Sequence, residues 1–403
     1  MVSERVDRYA GYRWVILGMA WLTQIVMQWS WYLVPSLAYT LFPELGLNQT
    51  RFTLLYTAPL IVAIFVSSFG GGFGDRYGVR IAVALGSFTL GIAGLARAFT
   101  SDFEEMLVCM LAMGIAMSFI WPNLPKIVSV WFPRNQVGFA TGIYVSAQAI
   151  GYSMGLLTGP LFISWRIAFL YVGLISLVVA VLWSVVGRSS PKGVIIEKAS
   201  IVSGALKGIK SRNIWLICLV LFLVRGAFFS FSGNLPNALE TVHHISAQEA
   251  GTISSLLPWG AVIGTIVFPL FSDRVGMRKP FFYGGAIISA ICFYGAWYIA
   301  PDIGTYILVF VGGLFFGALV PLVFTLPLEF PEISREHVGG SAGLVNSLGQ
   351  LGGVVIPLFV ISPVIAAGTL EAYSSGFILI MLLLAGIAIP AAFLLETGYR
   401  GKT

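Results

Sequence analysis

"GGFGDRYGVR", residues 71–80, places Asp75, Arg76 and Arg80 within six residues of one another, in a chain that is 58% apolar and only 10% charged. Long apolar runs flank it on both sides. Such runs recur from residue 15 to residue 396, and the mean hydropathy is +0.90. A bilayer core about 30 Å thick takes roughly 20 helical residues to cross. The runs therefore predict twelve membrane helices, over residues 15–39, 52–74, 81–100, 106–131, 137–163, 167–187, 214–238, 248–271, 280–300, 304–329, 338–365 and 372–396. The first run follows a charged start (Glu4, Arg5, Asp7, Arg8, Arg13) and is too long for the apolar core of a cleaved leader, so it reads as the first span. The fold class is all-α integral membrane.

The charges are sorted by side. Of the 23 Lys and Arg, 18 fall in segments on the side of the N-terminus, and Arg51, Arg97 and Arg166 fall on the other. Lys126 and Arg225 lie inside spans. Basic residues concentrate on the cytoplasmic side of membrane proteins. Both termini are therefore expected in the cytoplasm, in a plasma or inner membrane. The net charge of +6 follows from this sorting and gives no reason to expect nucleic acid. Cys109, Cys218 and Cys292 stand singly in apolar runs, without metal-ligand spacing or a disulfide framework. No phosphate-binding loop or catalytic constellation is present, so neither an enzyme nor a bound cofactor or metal is expected.

The opening stretch recurs. Asp75-Arg76-x-Gly78-x-Arg80 returns as Asp273-Arg274-x-Gly276-x-Arg278 in "FSDRVGMRKP", residues 271–280. "WFP" at 131–133 likewise returns as "EFP" at 329–331, with the same offset. Two markers sharing one offset indicate a duplicated six-helix unit. The expected domains are a bundle over 1–187, a basic cytoplasmic loop over 188–213 and a second bundle over 214–403.

Six plus six spans, a basic central loop and G-x-x-x-D-R-x-G-x-R between spans two and three resemble the major facilitator superfamily of secondary transporters. The resemblance covers essentially the whole chain. It implies two pseudo-symmetric bundles, rocker-switch alternating access and a substrate site near the bilayer midplane between the halves. It also assigns gating to Gly71, Asp75, Arg76, Gly78 and Arg80, echoed by Asp273, Arg274 and Arg278. The chemistry agrees with that role: acids suit helix N-termini, cations suit C-termini, and a glycine permits a tight turn.

Charges inside spans are costly and usually face a cavity or a partner. Arg225, near the middle of span seven, and Lys126, near the loop-side end of span four, are the two candidates. No carboxylate stands mid-span: Glu329 falls at the inner end of span ten, and Glu240, His243 and His244 fall at or beyond the outer end of span seven. A cavity walled by cations favours anions. The superfamily lines its cavity with spans one, four, seven and ten together with five, eight and eleven. On that basis Gln28 and Tyr32, Asn123, Tyr144 and Gln148, Trp259, Asn346 and Gln350 complete the expected substrate-binding set. Gln24 and Tyr152 stand among the polar residues of the same spans.

The usual proton-coupling residues are missing, with Met110 and Met113 where many members have an Arg and a Gln in span four. The run Gly151-x3-Gly155-x3-Gly159-Pro160 partly resembles the span-five signature of drug/proton antiporters. The expected function is secondary transport of a small organic or inorganic anion, by a monomer among membrane lipids, coupled to a proton or a counter-anion. Branches similar to this chain are those for oxalate/formate, monocarboxylates, cyanate and nitrate/nitrite, although the span-two arginine of nitrate carriers is absent. Efflux of drugs or amphiphiles is the alternative. A non-transporting sensor would call for a substantial soluble domain.

Overall fold

The computed structural model describes residues 11–190, 208–299, 301–330, 332–333 and 338–397. Most of the expected central loop, Pro331 of the second marker and the terminal cations lie outside the described residues. Every regular element among the described residues is helical. Ten helices are long and apolar enough to cross a membrane. Two more of 25 residues each, Tyr12–Ser36 and Arg134–Thr158, complete the twelve as spans one and five. Those two fall short of the apolar ten because they carry Gln24, Gln28, Tyr144 and Gln148. The two least apolar spans thus hold four of the candidate substrate contacts, Gln28, Tyr32, Tyr144 and Gln148.

Span two is Gln49–Tyr77, span three Val79–Arg97, span six Trp165–Val185, span seven Arg212–His243, span eight Ala247–Val275 and span nine Lys279–Tyr298. Span four breaks at Trp121-Pro122-Asn123, between Phe103–Ile120 and Leu124–Trp131. Span ten breaks at Gly317-Ala318, between Ile303–Phe316 and Leu319–Glu329. The two breaks sit at nearly equivalent places in the repeat. Span eleven, Val338–Val355, passes into a π-helical turn over Ile356–Ile361, a local widening often found at functional positions. Span twelve is Leu370–Gly386, followed by Ala388–Phe393. Span seven runs five residues past its expected end, so Glu240 and His243 lie within the helix and not beyond it.

The chain divides into two compact units, Met1–Leu47 with Ala58–Lys198, and Asn48–Thr57 with Ala199–Thr403. The first ten residues of span two's segment therefore associate with the second unit. In the first unit span one packs on five, three on six and three on four; in the second, seven packs on eleven, nine on twelve and nine on ten. The duplication read from two short markers thus extends to the helix pairing.

Glycine makes these contacts close. A Cβ on Gly94 would stand 2.8 Å from Gly173 Cα, and one on Gly264 would stand 1.8 Å from Leu314 O. Lipid tails are as apolar as side chains, so backbone approach of this kind, rather than exclusion of oil from water, is what joins membrane helices. Large apolar side chains such as Phe65, Phe69 and Val185 are exposed, as acyl-facing residues are.

Candidate functional site

The loop that opens the sequence has a defined build. Span two continues through Asp75 and Arg76, and the chain reverses at Gly78, whose φ of +96° is open to glycine and strained for other residues. Asp75 Oδ1 accepts from Lys126 Nζ at 2.5 Å, and the same ammonium donates to Gly71 O at 2.8 Å. Gly71 lies beside this contact, where a Cβ would meet Pro122 at 3.4 Å and Lys126 Nζ at 3.8 Å, both ordinary contact distances. Arg80 donates through Nε to Trp183 O at 3.3 Å and through Nη2 to Ser184 O, placing a cation on the C-terminal carbonyls of span six. Its backbone N–H goes to Ser189 Oγ at 3.1 Å. Arg76 is exposed and lies over the Tyr77 ring.

The echo loop does the same work with different groups. Gly276 turns the chain at φ +71°. Arg278 binds Asp273 and Glu329, each at 2.5 Å, and donates to Ser272 Oγ at 3.0 Å. Glu396, after span twelve, accepts the backbone N–H groups of Arg278 at 2.7 Å and Lys279 at 3.0 Å. Lys279 Nζ reaches Ala392 O at 3.0 Å. Arg274 is exposed in the last turn of span eight. In each unit the loop is therefore tied to the end of the broken span and to the end of the sixth span. The sign of the first tie is inverted: span four offers a cation to a loop acid, and span ten offers an acid, Glu329, to a loop cation.

This placement changes the reading of Lys126. Its ammonium is paired with Asp75 and bonded to Gly71 O, so in the structure it joins span four to the loop end of span two. Asn123, of the expected set, joins the same two spans. It is fully buried, and its amide nitrogen donates to Gly70 O at 2.9 Å and Phe119 O at 2.8 Å, against the flank of Gly74. It fastens span four to span two.

The remaining candidates of the first unit gather on spans one and five. Gly151, Gly155 and Gly159 lie against Ile25–Gln28, Tyr32 and Ser36, so the partial antiporter signature is a packing stripe here. Tyr32 stacks on Tyr152 with centroids 3.7 Å apart. Tyr144 and Gln148, one turn apart, share a side-chain hydrogen bond. Gln28 is 8% exposed with Oε1 buried and unbonded, and Gln24 is fully buried with both amide atoms unbonded. Buried amides are normally satisfied. These two are dipoles awaiting water or a ligand.

In the second unit Arg225 is half-buried, 13 residues into span seven and roughly 20 Å along its axis. Among the described residues it is the charged residue whose backbone stands more than two turns from both ends of its helix. Span eleven packs on this stretch of span seven through Gly349, Gly352 and Ile356, which meet Leu221, Phe222 and Gly226. Gln350 is 9% exposed, with Oε1 buried and unbonded. Asn346 is exposed, and Trp259, on span eight, is 42% exposed.

One residue was misplaced by sequence reasoning. Arg97, expected in an outer loop, is the last helical residue of span three and is wholly buried. Its guanidinium donates to Ser30 O at 2.9 Å and to Ser30 Oγ, lies 4.4 Å over the Phe169 ring and touches Met110 Sδ at 3.9 Å. Among the described residues it forms no ion pair with a carboxylate. Glu240 is 8% exposed, with Oε1 buried and unbonded. The available signal for Arg97 was weak: a cation flanked by apolar residues on both sides.

Comparison with known proteins places this geometry. A family model described as Major Facilitator Superfamily matches residues 20–357. The chain is 25% identical to the probable nitrate/nitrite antiporter NarK1 of Thermus thermophilus, over 88% of this chain and 85% of that one. It is 24% identical to the sialic acid transporter NanX of Escherichia coli K12, over 93% and 94%, and 22% identical to the hexuronate transporter of Bacillus subtilis, over 87% and 86%. The fold resembles the crystal structure of a bacterial homolog of the human lysosomal transporter Spinster. The TM-score is 0.78 at 15% identity, over 95% and 96% of the two chains.

Proposed function

Because the chain belongs to the Major Facilitator Superfamily, we propose that it is a secondary transporter that carries a small anion, a carboxylate or an inorganic oxyanion, by alternating access. The observation that carries this reading is the charge of the span interiors. The described carboxylates all stand in the first or last turns of helices, at their caps or outside them, whereas Arg225 stands deep in span seven and Arg97 is buried in the first unit. An interior of that sign attracts anions. The names of the three relatives, for nitrate/nitrite, sialic acid and hexuronate, are all those of anions and support the same reading.

In this proposal Arg225 is the anchor. A guanidinium presents paired N–H groups that match a carboxylate or oxyanion in a bidentate way. Gln28, Gln148 and Gln350 supply amide donors, and Tyr144 a hydroxyl, to the remaining oxygens. The orphaned amide atoms of Gln24 and Gln28 fit a site that is completed by its cargo. The two charged loops hold the ends of spans four, six, ten and twelve and release them as the carrier changes state. The excess of basic residues on the loop side, 18 against 3 on the other, supports a cytoplasmic position for both termini.

Reconstitution in liposomes tests this. Labelled monocarboxylates, sugar acids and nitrate are offered under a proton gradient or with anion inside. Uptake of at least one anion is expected, and Arg225→Ala is expected to lower it 30-fold or more, since losing one member of a desolvated charge pair costs about 2–5 kcal/mol. Arg225→Lys is expected to keep part of the flux. An anion flux untouched by Arg225→Ala would remove the anchor. Dye efflux without anion flux would replace the reading with amphiphile export.

A further inference from the structure

The loop-side ends of spans three and six leave a groove of about 770 Å³, formed within the first unit alone. Its two ends differ in chemistry. At the loop end stand Arg80 and Arg188, with the hydroxyl of Ser189 beside them. Further along the same groove stand Ile81, Leu85 and Phe88, all exposed. Their spacing of four and three residues puts them on one face of span three. Among the described residues no acidic side chain lines the groove.

We propose that this groove holds an anionic phospholipid, with the phosphate at Arg80 and Arg188 and one acyl chain along Ile81, Leu85 and Phe88. Both guanidinium groups are held in place. Arg80 is fixed by Trp183 O and Ser184 O, and Arg188 lies 4.3 Å over the Tyr12 ring. Each retains N–H donors beyond those contacts, because a guanidinium carries five. A free inorganic anion would use the basic end and leave the apolar wall bare. A zwitterionic lipid would bring its own cation against two guanidiniums. A lipid of net negative charge satisfies both ends at once, and basic pockets between helices on one side of a membrane suit such headgroups. The consequence is mechanical. The lipid phosphate shares Arg80 with the carbonyls of span six, so lipid composition bears on the tether that the charged loop makes.

The proposal rests on the membrane spans and is independent of which solute is carried. Purified full-length protein is titrated with phosphatidylglycerol and, separately, phosphatidylcholine of the same acyl chains, and adducts are counted by native mass spectrometry. Wild type is expected to prefer phosphatidylglycerol. Arg188→Gln is expected to lower that preference roughly fivefold, the effect of one cation near an anionic headgroup. Leu85→Gln is expected to weaken retention of the long-chain lipid but not of a short-chain one. Arg166→Gln, at the other end of span six and paired with Glu44, is expected to change nothing. Equal adducts of the two lipids overturn the proposal, and so does an undiminished preference in Arg188→Gln. Displacement of the lipid by excess inorganic phosphate would overturn it in favour of a free-anion site.

Discussion

Arg97 shows what a position at a helix end conceals. By sequence it ends an apolar run, where a long cation normally reaches out to water. In the structure it turns inward, because Ser30 offers a hydroxyl and a carbonyl and Phe169 offers a ring face. None of those partners is near it in sequence, so nothing local could have announced them. Arg225 was visible for the opposite reason: it interrupts an apolar helix at its middle, too far from either end for its side chain to snorkel to a membrane face. Hydrogen bonds to a charged group contribute about 1.5–3 kcal/mol each. Arg97→Ala, which also leaves a void, is therefore expected to lower the melting temperature in detergent clearly, and Arg97→Lys less, as an ammonium still reaches Ser30 O. Glu240 should behave in the reverse way. Its Oε1 has no partner to lose, so Glu240→Gln is expected to leave the melting temperature unchanged or raise it, while Glu240→Ala lowers it by opening space. Scanning fluorimetry of the four variants distinguishes a buried cation that is bonded from a buried acid that is not.

At the scale of elements, the turn between spans two and three was spelled out by Gly78 and its charges, and the structure adds what those charges hold. The tethers come from spans far along the chain, Lys126 for one loop and Glu329 for the other, with their signs exchanged. A repeat search compares residues and misses a conserved task carried out with opposite charges. The pairing gives a direct test of what Lys126 does. Lys126→Asp and Asp75→Lys are each expected to cut transport several-fold, and the double reversal is expected to recover most of it. A lysine that touched the substrate would not be rescued by moving its charge to residue 75. Because the pair is partly exposed, its effect on stability should stay below about 1 kcal/mol. Packing of spans eight and ten is a harder constraint. Gly264→Ala would drive a methyl into Leu314 O, and since backbone cannot step aside as a side chain can, overpacking of about 1–3 kcal/mol or more is expected. Its readout is loss of monodisperse protein on size exclusion, with Gly284→Ala, which meets nothing within 4 Å, as the neutral comparison.

Taken as a whole molecule, the chain carries its orientation in its charge. Burial of Arg97 sharpens the asymmetry, because one of three cations assigned to the far side belongs to a span interior and leaves Arg51 and Arg166 there against 18 on the loop side. Lys and Arg resist translocation across the bilayer, so the 71–80 and 271–280 loops are expected in the cytoplasm. Tyr39 and Ser190 test this from opposite ends of the first unit. Tyr39 is 68% exposed on the short helix Ala38–Glu44 after span one, and Ser190 follows span six beside Arg188. The native thiols make a quiet background: Cys218 and Cys292 are buried and Cys109 lies within span four. A membrane-impermeant maleimide applied to intact cells is expected to label Tyr39→Cys and spare Ser190→Cys, and inverted vesicles are expected to exchange the two. The opposite pattern would put both charged loops outside. The phosphatidylglycerol groove would then open on the outer leaflet, and the 18 loop-side cations, against two on the other side, would have to be held on the outer face against the potential, at about 2.3 kcal/mol per charge for each 100 mV. That energetic cost is why the loop-inside orientation is the one expected from the charge distribution.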